Sequence, residues 1–363
     1  LKEEDVMDYK HAVFVGRFQP FHMGHLEVIR QGLRIAENVI VIVGSSNAAP
    51  SPKNPFTFEE RRGMIMDCFT GEMKNRVKVV GVRDYYYNID AWLMDVQGKV
   101  NQFAREGDSI ALLGQFKDAS SYYLKLFPQW DHEPVETSMM DATKVRHHLF
   151  SGVTDRRDWE GKIPAEQRHP LVGEIDKLLP LSTKDFLKGY VHTKAYADQV
   201  REFKYVQDYK AQWADAPFPP MFVTTDACVT TSGHVLVVER KTNPGKGLFA
   251  LPGGFLKPNE FVQDGMLREL REETGIRVDK LILASSIVDS KVFDHPDRSL
   301  RGRTISHGFH IKLKDGNLPE VKGNDDAARA IWMSLWDVIQ NEDKFFEDHA
   351  HIINYFVGAQ GER

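Results

Sequence analysis

The stretch HAVFVGRFQPFHMGHLEVIRQGLRIAENVIVIVGSS, residues 11–46, sets the architecture of the first half of the chain. Its ends, HAVFV and NVIVIVGSS, are continuous apolar runs that read as buried strands. Between them a helical pattern runs from about Gly24 to Glu37, with Leu26, Ile29, Leu33 and Ala36 on one face. Further along, RVKVVGVRD (76–84) and DSIALLG (108–114) repeat the theme with helical segments between them. Such alternation predicts an α/β fold of Rossmann-like form, a parallel sheet covered by helices on both faces. Ligands of such sheets lie at the carboxyl ends of the strands, which is where GRFQPFHMGH (16–25) falls.

Beyond this unit the text changes character. From Ser151 to about Phe186 it is polar and loop-like, and KAYADQVREFKYVQDYKAQW (194–213) reads as a charged helix. After the punctuation ADAPFPP come two β-rich runs, MFVTTDACVTT and HVLVVERK, joined by a Ser-Gly turn in the manner of a hairpin. At 363 residues the chain exceeds one ordinary domain. The expected organisation is a first domain over 9–186, a helical connection over 187–204 and a second domain over 205–363.

The balance of 47 basic against 52 acidic residues gives a net charge of −5, which offers no general attraction to nucleic acid or to anionic membrane. Any anion must be bound locally. Two cysteines, Cys68 and Cys228, lie far apart, so no disulfide framework is expected and a reducing cytoplasm is the natural compartment. No apolar run approaches the ~20 residues of a membrane span. A homo-oligomer is compatible with this reading, and nothing in the sequence demands one.

His22 and His25 stand three apart around Gly24, at the predicted start of a helix. Two imidazoles on one face, beside the open amides of a helix start, can hold a triphosphate and stabilise charge on departing pyrophosphate. The surrounding sequence resembles the nucleotidyltransferases that carry the HxGH signature. NPFTFEERRGMI (54–65), LLGQFKDASSYYLKLFPQW (112–130) and MMDATKVRHHLF (139–150) narrow the resemblance to nicotinamide mononucleotide (NMN) adenylyltransferases of the archaeal-like branch. It covers roughly residues 9–180. It implies that ATP is bound by Gly16, Arg17, Phe18, Gly24, Lys117, Thr143 and Arg146, with His22, His25 and Arg146 acting on the phosphates. The family pattern I-S-x-T-x-I-R is altered by Met140, Asp141 and Val145, while Thr143 and Arg146 are kept. In VRDYYYNIDAWLMD (82–95), the resemblance assigns the nicotinamide mononucleotide to Asp84, Asn88 and Trp92. The Trp92 indole could stack on the cationic ring, and core packing is the alternative reading of the same residue.

The second half contains GGFLKPNEFVQDGMLRELREETGI (253–276), which fills every fixed position of the Nudix box. Independently of that resemblance, Glu269, Glu272 and Glu273 fall at i, i+3 and i+4 of a helix, where like charges repel unless a cation neutralises them. Mg2+ or Mn2+ suits such oxygen donors. The Nudix resemblance implies an α/β/α domain with a mixed sheet. In it Glu272 and Glu273 are the main metal ligands, Glu269 is a ligand or a base, and Gly253 offers its backbone carbonyl. Gly254, Glu260 and Arg268 support the box.

GNDDAARAIWMSLWDV (323–338) resembles ADP-ribose pyrophosphatases, making Asp325 and Asp326 candidates for an extra acid outside the box. They equally suit the N-cap and first turn of a helix over AARAIWMSL. Trp332 and Trp336, four apart, suit helix packing better than ligand stacking.

The whole arrangement resembles the bacterial bifunctional nicotinamide mononucleotide adenylyltransferase/Nudix hydrolase family. The resemblance implies NAD synthesis from ATP and nicotinamide mononucleotide, hydrolysis of ADP-ribose, and a divalent cation at both sites. Two other readings remain open. The first domain could be another HxGH enzyme, such as a pantetheine-phosphate adenylyltransferase. The Nudix half could bind ADP-ribose or NAD as a sensor, or cleave another nucleoside diphosphate derivative.

Overall fold

A computed structural model describes residues 7–115, 119–135, 142–151, 175, 177–323 and 327–358. Lys117, Met140, Asp141, Asp325 and Asp326 lie outside the described residues. The chain divides into two compact units: residues 1–84 with 89–201, and residues 85–88 with 202–363. The division at 201/202 falls inside the helix Lys194–Ala211, and the expected connection over 187–204 is occupied by that helix and by the end of Leu181–Tyr190. Residues 181–186, read as loop-like from their polarity, are therefore helical.

In the first unit, β1 (Tyr9–Gly16), β2 (Ala36–Val43), β3 (Val77–Gly81), β4 (Ile110–Gly114) and β5 (Asp131–Pro134) form a five-stranded sheet in the order β3-β2-β1-β4-β5. Every pairing is parallel. The continuous apolar runs of β1 and β2 are what a sheet covered on both faces requires. Val13, Ile40, Ile42 and Leu112 pack with Val96 and Val100 of the helix Ile89–Val100. On the opposite face the helix Met23–Ile35 approaches so closely at Gly32 that a Cβ there would lie 2.8 Å from Leu113 and 3.0 Å from Val39. Leu26, Ile29 and Leu33 are buried as the periodicity requires; Ala36 is already the first residue of β2.

In the second unit, β6 (Met221–Thr231), β7 (His234–Arg240), β10 (Ile287–Phe293), β11 (Arg303–Lys312) and β12 (Ala327–Ser334) run in the order β10-β11-β6-β7-β12. The short strands β8 (Phe249–Ala250) and β9 (Gly253–Phe255) add to β7 and β6. The β6/β11 pair is parallel and the other pairs are antiparallel, so the sheet is mixed. Ser232 and Gly233 close the β6–β7 hairpin at φ 47° and 71°, the left-handed pair that a two-residue turn needs.

Alternate residues of β6 and β7 serve opposite cores. Ala227, Val229, Leu236 and Val238 pack with Met266, Leu267 and Leu270 of the helix Val262–Thr274. Cys228, Val235 and Val237 pack with Ile352 and Ile353 of the helix His349–Val357. The result is the three-layer α/β/α arrangement expected.

One local expectation fails. AARAIWMS is strand β12, not a helix. Trp332 therefore does not share a helix face with Trp336: its indole N–H donates to the Pro319 carbonyl at 2.8 Å, whereas Trp336 sits exposed on the following helix, Leu335–Gln340. Pairing of β12 with β7 over Ala327–Ser334 overrides the four-residue spacing of the two tryptophans. The N-cap alternative for Asp325 and Asp326 goes with that helix.

Candidate functional site

In the first unit the loop after β1 is built by local hydrogen bonds. His22 is the N-cap of Met23–Ile35. Its Nδ1 accepts from the His25 amide at 3.3 Å, and the Nδ1 of His25 accepts from the His22 amide at 3.3 Å. The two rings stack with centroids 3.5 Å apart. A neutral imidazole that accepts at Nδ1 carries its proton at Nε2, so both rings are fixed as Nε2–H donors. His22 is buried, and His25 is half-buried against Phe18 and Phe21 at 4.8 and 5.7 Å between centroids. Phe18 itself is buried at φ 55°, and a Cβ on Gly16 would lie 2.8 Å from its ring. Gly16 thus leaves room for a strained turn that Phe18 fills from below.

Arg61, unmarked as a site residue by sequence, is what holds this turn. Its buried guanidinium donates to the carbonyls of Arg17 at 2.8 Å, Gly44 at 2.7 Å, Ser45 at 3.0 Å and Thr57 at 3.2 Å. Burial pulls its pKa down to about 10, so the charge is retained at neutral pH. Ser45, at φ 50°, donates to Asp84 Oδ1 at 3.1 Å. The second segment expected at the phosphates also arrives: Arg146 Nη1 donates to the Gln19 carbonyl at 2.5 Å and Nη2 to Thr143 Oγ1 at 3.2 Å. Gly24 is buried at the helix start and Arg17 is exposed. Trp92 is half-buried on the sheet core, its ring 6.0 Å from Tyr123 and 5.9 Å from Phe127. Asp84 and Trp92 belong to the first unit, whereas Asn88 groups with the second.

In the second unit the box lies on β9 and the helix Val262–Thr274. Arg268 gathers its acids: Nε and Nη2 clasp Glu260 at 3.0 and 2.6 Å, while Nη1 reaches Glu269 at 2.6 Å and Glu272 at 3.0 Å. The clasp, with the Lys257 amide, holds the Glu260 carboxyl down to about 2. A Cβ at Gly254 would lie 2.7 Å from the Glu269 carboxyl, which is why the box needs glycine there. Glu273 accepts from the Gly253 amide at 3.0 Å, so the Gly253 group seen at the acid is its N–H.

Burial pushes the Glu273 carboxyl up to about 8, with Glu269 and Asp226 adding to the effect, and burial likewise raises Glu269. The pair is short of positive charge, and its oxygen donors fit a hard divalent cation. Among the described residues no group of three or more His, Cys, Asp or Glu side chains is gathered to hold a metal ion, and Glu269 and Glu272 are both bonded to Arg268. A cavity of about 140 Å³ adjoins Glu273 and is lined also by Asp226, Arg240, Arg298, Arg301 and Glu347, none of which sequence reasoning singled out. Their signal is absent from any motif because they come from β6, β7 and two loops far along the chain.

The fold and these two sites define a nucleotidyltransferase joined to a Nudix hydrolase. Residues 13–118 match the Cytidylyltransferase-like family and residues 221–356 the NUDIX domain. The chain is 34% identical over 198 residues to the nicotinamide/nicotinic acid mononucleotide adenylyltransferase of Acinetobacter baylyi, covering 54% of this chain and 94% of that one. It is 36% identical over 137 residues to the ADP-ribose pyrophosphatase of Methanocaldococcus jannaschii, covering 37% of this chain and 72% of that one. A crystal structure of a bifunctional NMN adenylyltransferase/ADP ribose pyrophosphatase from Francisella tularensis, complexed with AMP and Mn ion, superposes with a TM-score of 0.85 at 39% identity. The superposition covers 97% of this chain and 100% of that one. The chain belongs to the bifunctional nicotinamide mononucleotide adenylyltransferase/Nudix hydrolase family. The adenylyltransferases among its relatives favour that substrate over the pantetheine-phosphate alternative. No helix of the described residues is long and apolar enough to cross a membrane.

Proposed function

We propose that the first unit transfers AMP from ATP to nicotinamide mononucleotide, giving NAD and pyrophosphate, and that the second hydrolyses ADP-ribose to AMP and ribose 5-phosphate. The observation that carries this reading is the presence in one chain of a reciprocally locked histidine pair with Arg146 on its loop and of a complete, Arg268-clasped Nudix box.

In the first reaction a phosphate oxygen of nicotinamide mononucleotide attacks the α-phosphorus of ATP, and the bond to pyrophosphate breaks. Fixed Nε2–H donors on His22 and His25, with the Arg146 guanidinium, stabilise negative charge as it moves onto the leaving group. Gly16, Arg17, Phe18, Gly24 and Thr143 shape the triphosphate seat, and Arg61 keeps it in place. Asp84 and Trp92 serve the nicotinamide end. A divalent cation here would be held by the triphosphate itself and would offset its charge beside His22, His25 and Arg146.

In the second reaction water attacks one phosphorus of the diphosphate, that phosphorus loses its bond to the bridging oxygen, and AMP and ribose 5-phosphate leave as the two halves while the water gives up a proton to solvent. Glu272 and Glu273 would hold Mg2+ or Mn2+, with Glu269 a further ligand or base, and Arg268 would have to release Glu269 and Glu272 to the cation. The bound cation supplies Lewis-acid activation of water and neutralises the diphosphate. Gly254 and Glu260 keep the acids and Arg268 in register, and unpaired Cys68 and Cys228 accord with a cytoplasmic setting. The test is a pair of assays on the purified full chain with Mg2+, one following NAD from ATP and nicotinamide mononucleotide, the other AMP from ADP-ribose. Loss of only the first activity in His25→Ala, and of only the second in Glu273→Gln, supports the assignment. A parent that binds ADP-ribose without cleaving it would make the second unit a sensor.

A further inference from the structure

Within the second unit, Glu347 is held in an unusual state. Its φ of 46° lies in the left-handed region that favours glycine, yet the residue carries a long, charged side chain. The neighbouring backbone explains how the conformation is enforced. Asp348 is fully buried, takes two hydrogen bonds from Arg298 at 2.9 and 2.8 Å, and accepts from the hydroxyl of Tyr87, a residue of the same unit. His349 accepts from the Leu251 amide at 3.0 Å, and the Phe346 amide donates to the Phe249 carbonyl at 2.8 Å. Residues on both sides are pinned, and Glu347 lines the same cavity as Glu273.

The Glu347 side chain is only 9% exposed, and its Oε1 has no hydrogen-bond partner. Its Oε2 lies 3.9 Å from Nη2 of Arg301, too far for a hydrogen bond. Arg301 lines the same cavity, and its Nε is buried without a partner. Its guanidinium lies over the rings of Phe255 and Phe346, at 5.3 and 5.9 Å, which fixes its plane. Buried donors and acceptors are ordinarily satisfied, so an unpartnered acceptor and an unpartnered donor on two residues that line one cavity mark a place where a ligand completes the bonding.

We infer that Arg301 and Glu347 form a recognition pair for the vicinal hydroxyls of the ribosyl phosphate half of the substrate. Each hydroxyl both donates and accepts, which matches a carboxylate that only accepts and a guanidinium that only donates. A phosphate alone would be repelled by Glu347. Arg240 and Lys241, on the same cavity, supply the positive charge that the attached phosphate needs. The inference rests on the ADP-ribose reading of this unit and names specificity residues, not residues of the phosphorus chemistry.

The full-length protein is titrated with ribose 5-phosphate, 2-deoxyribose 5-phosphate and AMP, as the parent and as Glu347→Gln and Glu347→Gly. The parent is expected to favour ribose 5-phosphate over its deoxy analogue by about tenfold or more, since sites built to bond a hydroxyl reject ligands lacking it. Both variants should lose that preference and raise KM for ADP-ribose about tenfold or more with kcat changed less than about threefold. Glu347→Gly relieves the left-handed conformation, so its Tm should not fall and its loss of affinity is not misfolding. A parent without the preference, or variants that keep it, overturns the inference. So does loss of AMP binding in its place, which would put the pair at the adenosine half, or a fall in kcat at unchanged KM, which would put Glu347 in the chemistry. If the parent prefers ribose 5-phosphate but does not hydrolyse ADP-ribose, the hydrolase reading fails and the recognition pair stands.

Discussion

The histidine loop of the first unit and the acidic helix of the second both place reactive groups three or four residues apart, but they settle the resulting strain in opposite ways. His22 and His25 satisfy each other through backbone amides within a single turn. Glu269 and Glu273 cannot do so: burial raises both, their charges repel, and Arg268 bonds Glu269 and the more exposed Glu272 but not Glu273. The first site is complete as a set of donors, and the second waits for positive charge. A motif of neutral donors can be self-contained, whereas a motif of like charges is legible as half of a site.

The widest separation between the two should appear on removing a donor from the first. His25→Ala is expected to lower NAD synthesis at least about 10²-fold, the scale of a lost preorganised donor. ADP-ribose hydrolysis by the same preparation should be unaltered. Near-normal NAD synthesis would mean that the locked pair is only a helix cap.

Next in size is the support of that loop. Arg61→Ala leaves four carbonyls, those of Arg17, Gly44, Ser45 and Thr57, without their buried donor. Each carbonyl left buried without a donor costs about 1–3 kcal/mol. Calorimetry of the full chain should show a lower transition for the first unit, with that of the second unmoved. An unchanged profile would show that water replaces the guanidinium at little cost.

The acidic helix should respond to pH in the opposite sense from an ordinary ion pair. The Glu273 carboxyl has a pKa raised from 4.5 to about 8 by burial. Between those values the folded protein binds more protons than the unfolded chain, so its stability falls as pH rises from 4.5 towards 8. With a chelator present, Glu273→Gln should match the parent near pH 4.5 and gain on it progressively up to pH 8. Millimolar Mg2+ should reverse the order, because the parent then gains linked stability that the variant lacks. Equal melting of parent and variant across the range would remove the case for an uncompensated charge.

What the sequence made legible follows the same division. Apolar runs and helical periodicity gave β1, β2 and the helix Met23–Ile35, and turn chemistry gave the Ser232–Gly233 hairpin. The histidine motif follows the end of β1, where it was expected. AARAIWMS failed because Ala330 and Trp332 pack on one core and Ile331 and Met333 on the other, which leaves an apolar run with no polar alternation, while the two tryptophans imitate a helix. Arg61 was inside a quoted motif but unmarked, since burial of a charge cannot be read from its neighbours in sequence. Arg298, Arg301 and Glu347 were invisible: they reach the cavity through the pinning of Asp348 by an arginine 50 residues away. Backbone strain at Phe18, Ser45 and Glu347 likewise belongs to tertiary structure, and it marks both sites.

The smallest expected effect concerns Trp92, where function and packing compete for one ring. It lies half-buried against Tyr123 and Phe127, so Trp92→Ala would remove core contacts along with any stacking surface and could not separate the two. Trp92→Phe retains most of the apolar contact and weakens only the attraction of the larger π-face for a cation. A cation–π contact is worth roughly 0.5–2 kcal/mol, and part of it survives in phenylalanine, so KM for nicotinamide mononucleotide should rise by about two- to tenfold. KM for ATP and the Tm of the first unit should stay close to the parent's. If nicotinic acid mononucleotide is also used, the substitution should affect it less, because its carboxylate offsets the ring charge that draws it to the indole. Equal changes in both Michaelis constants, or a fall in Tm without a change in either, would return Trp92 to the core and leave the nicotinamide end without its aromatic partner.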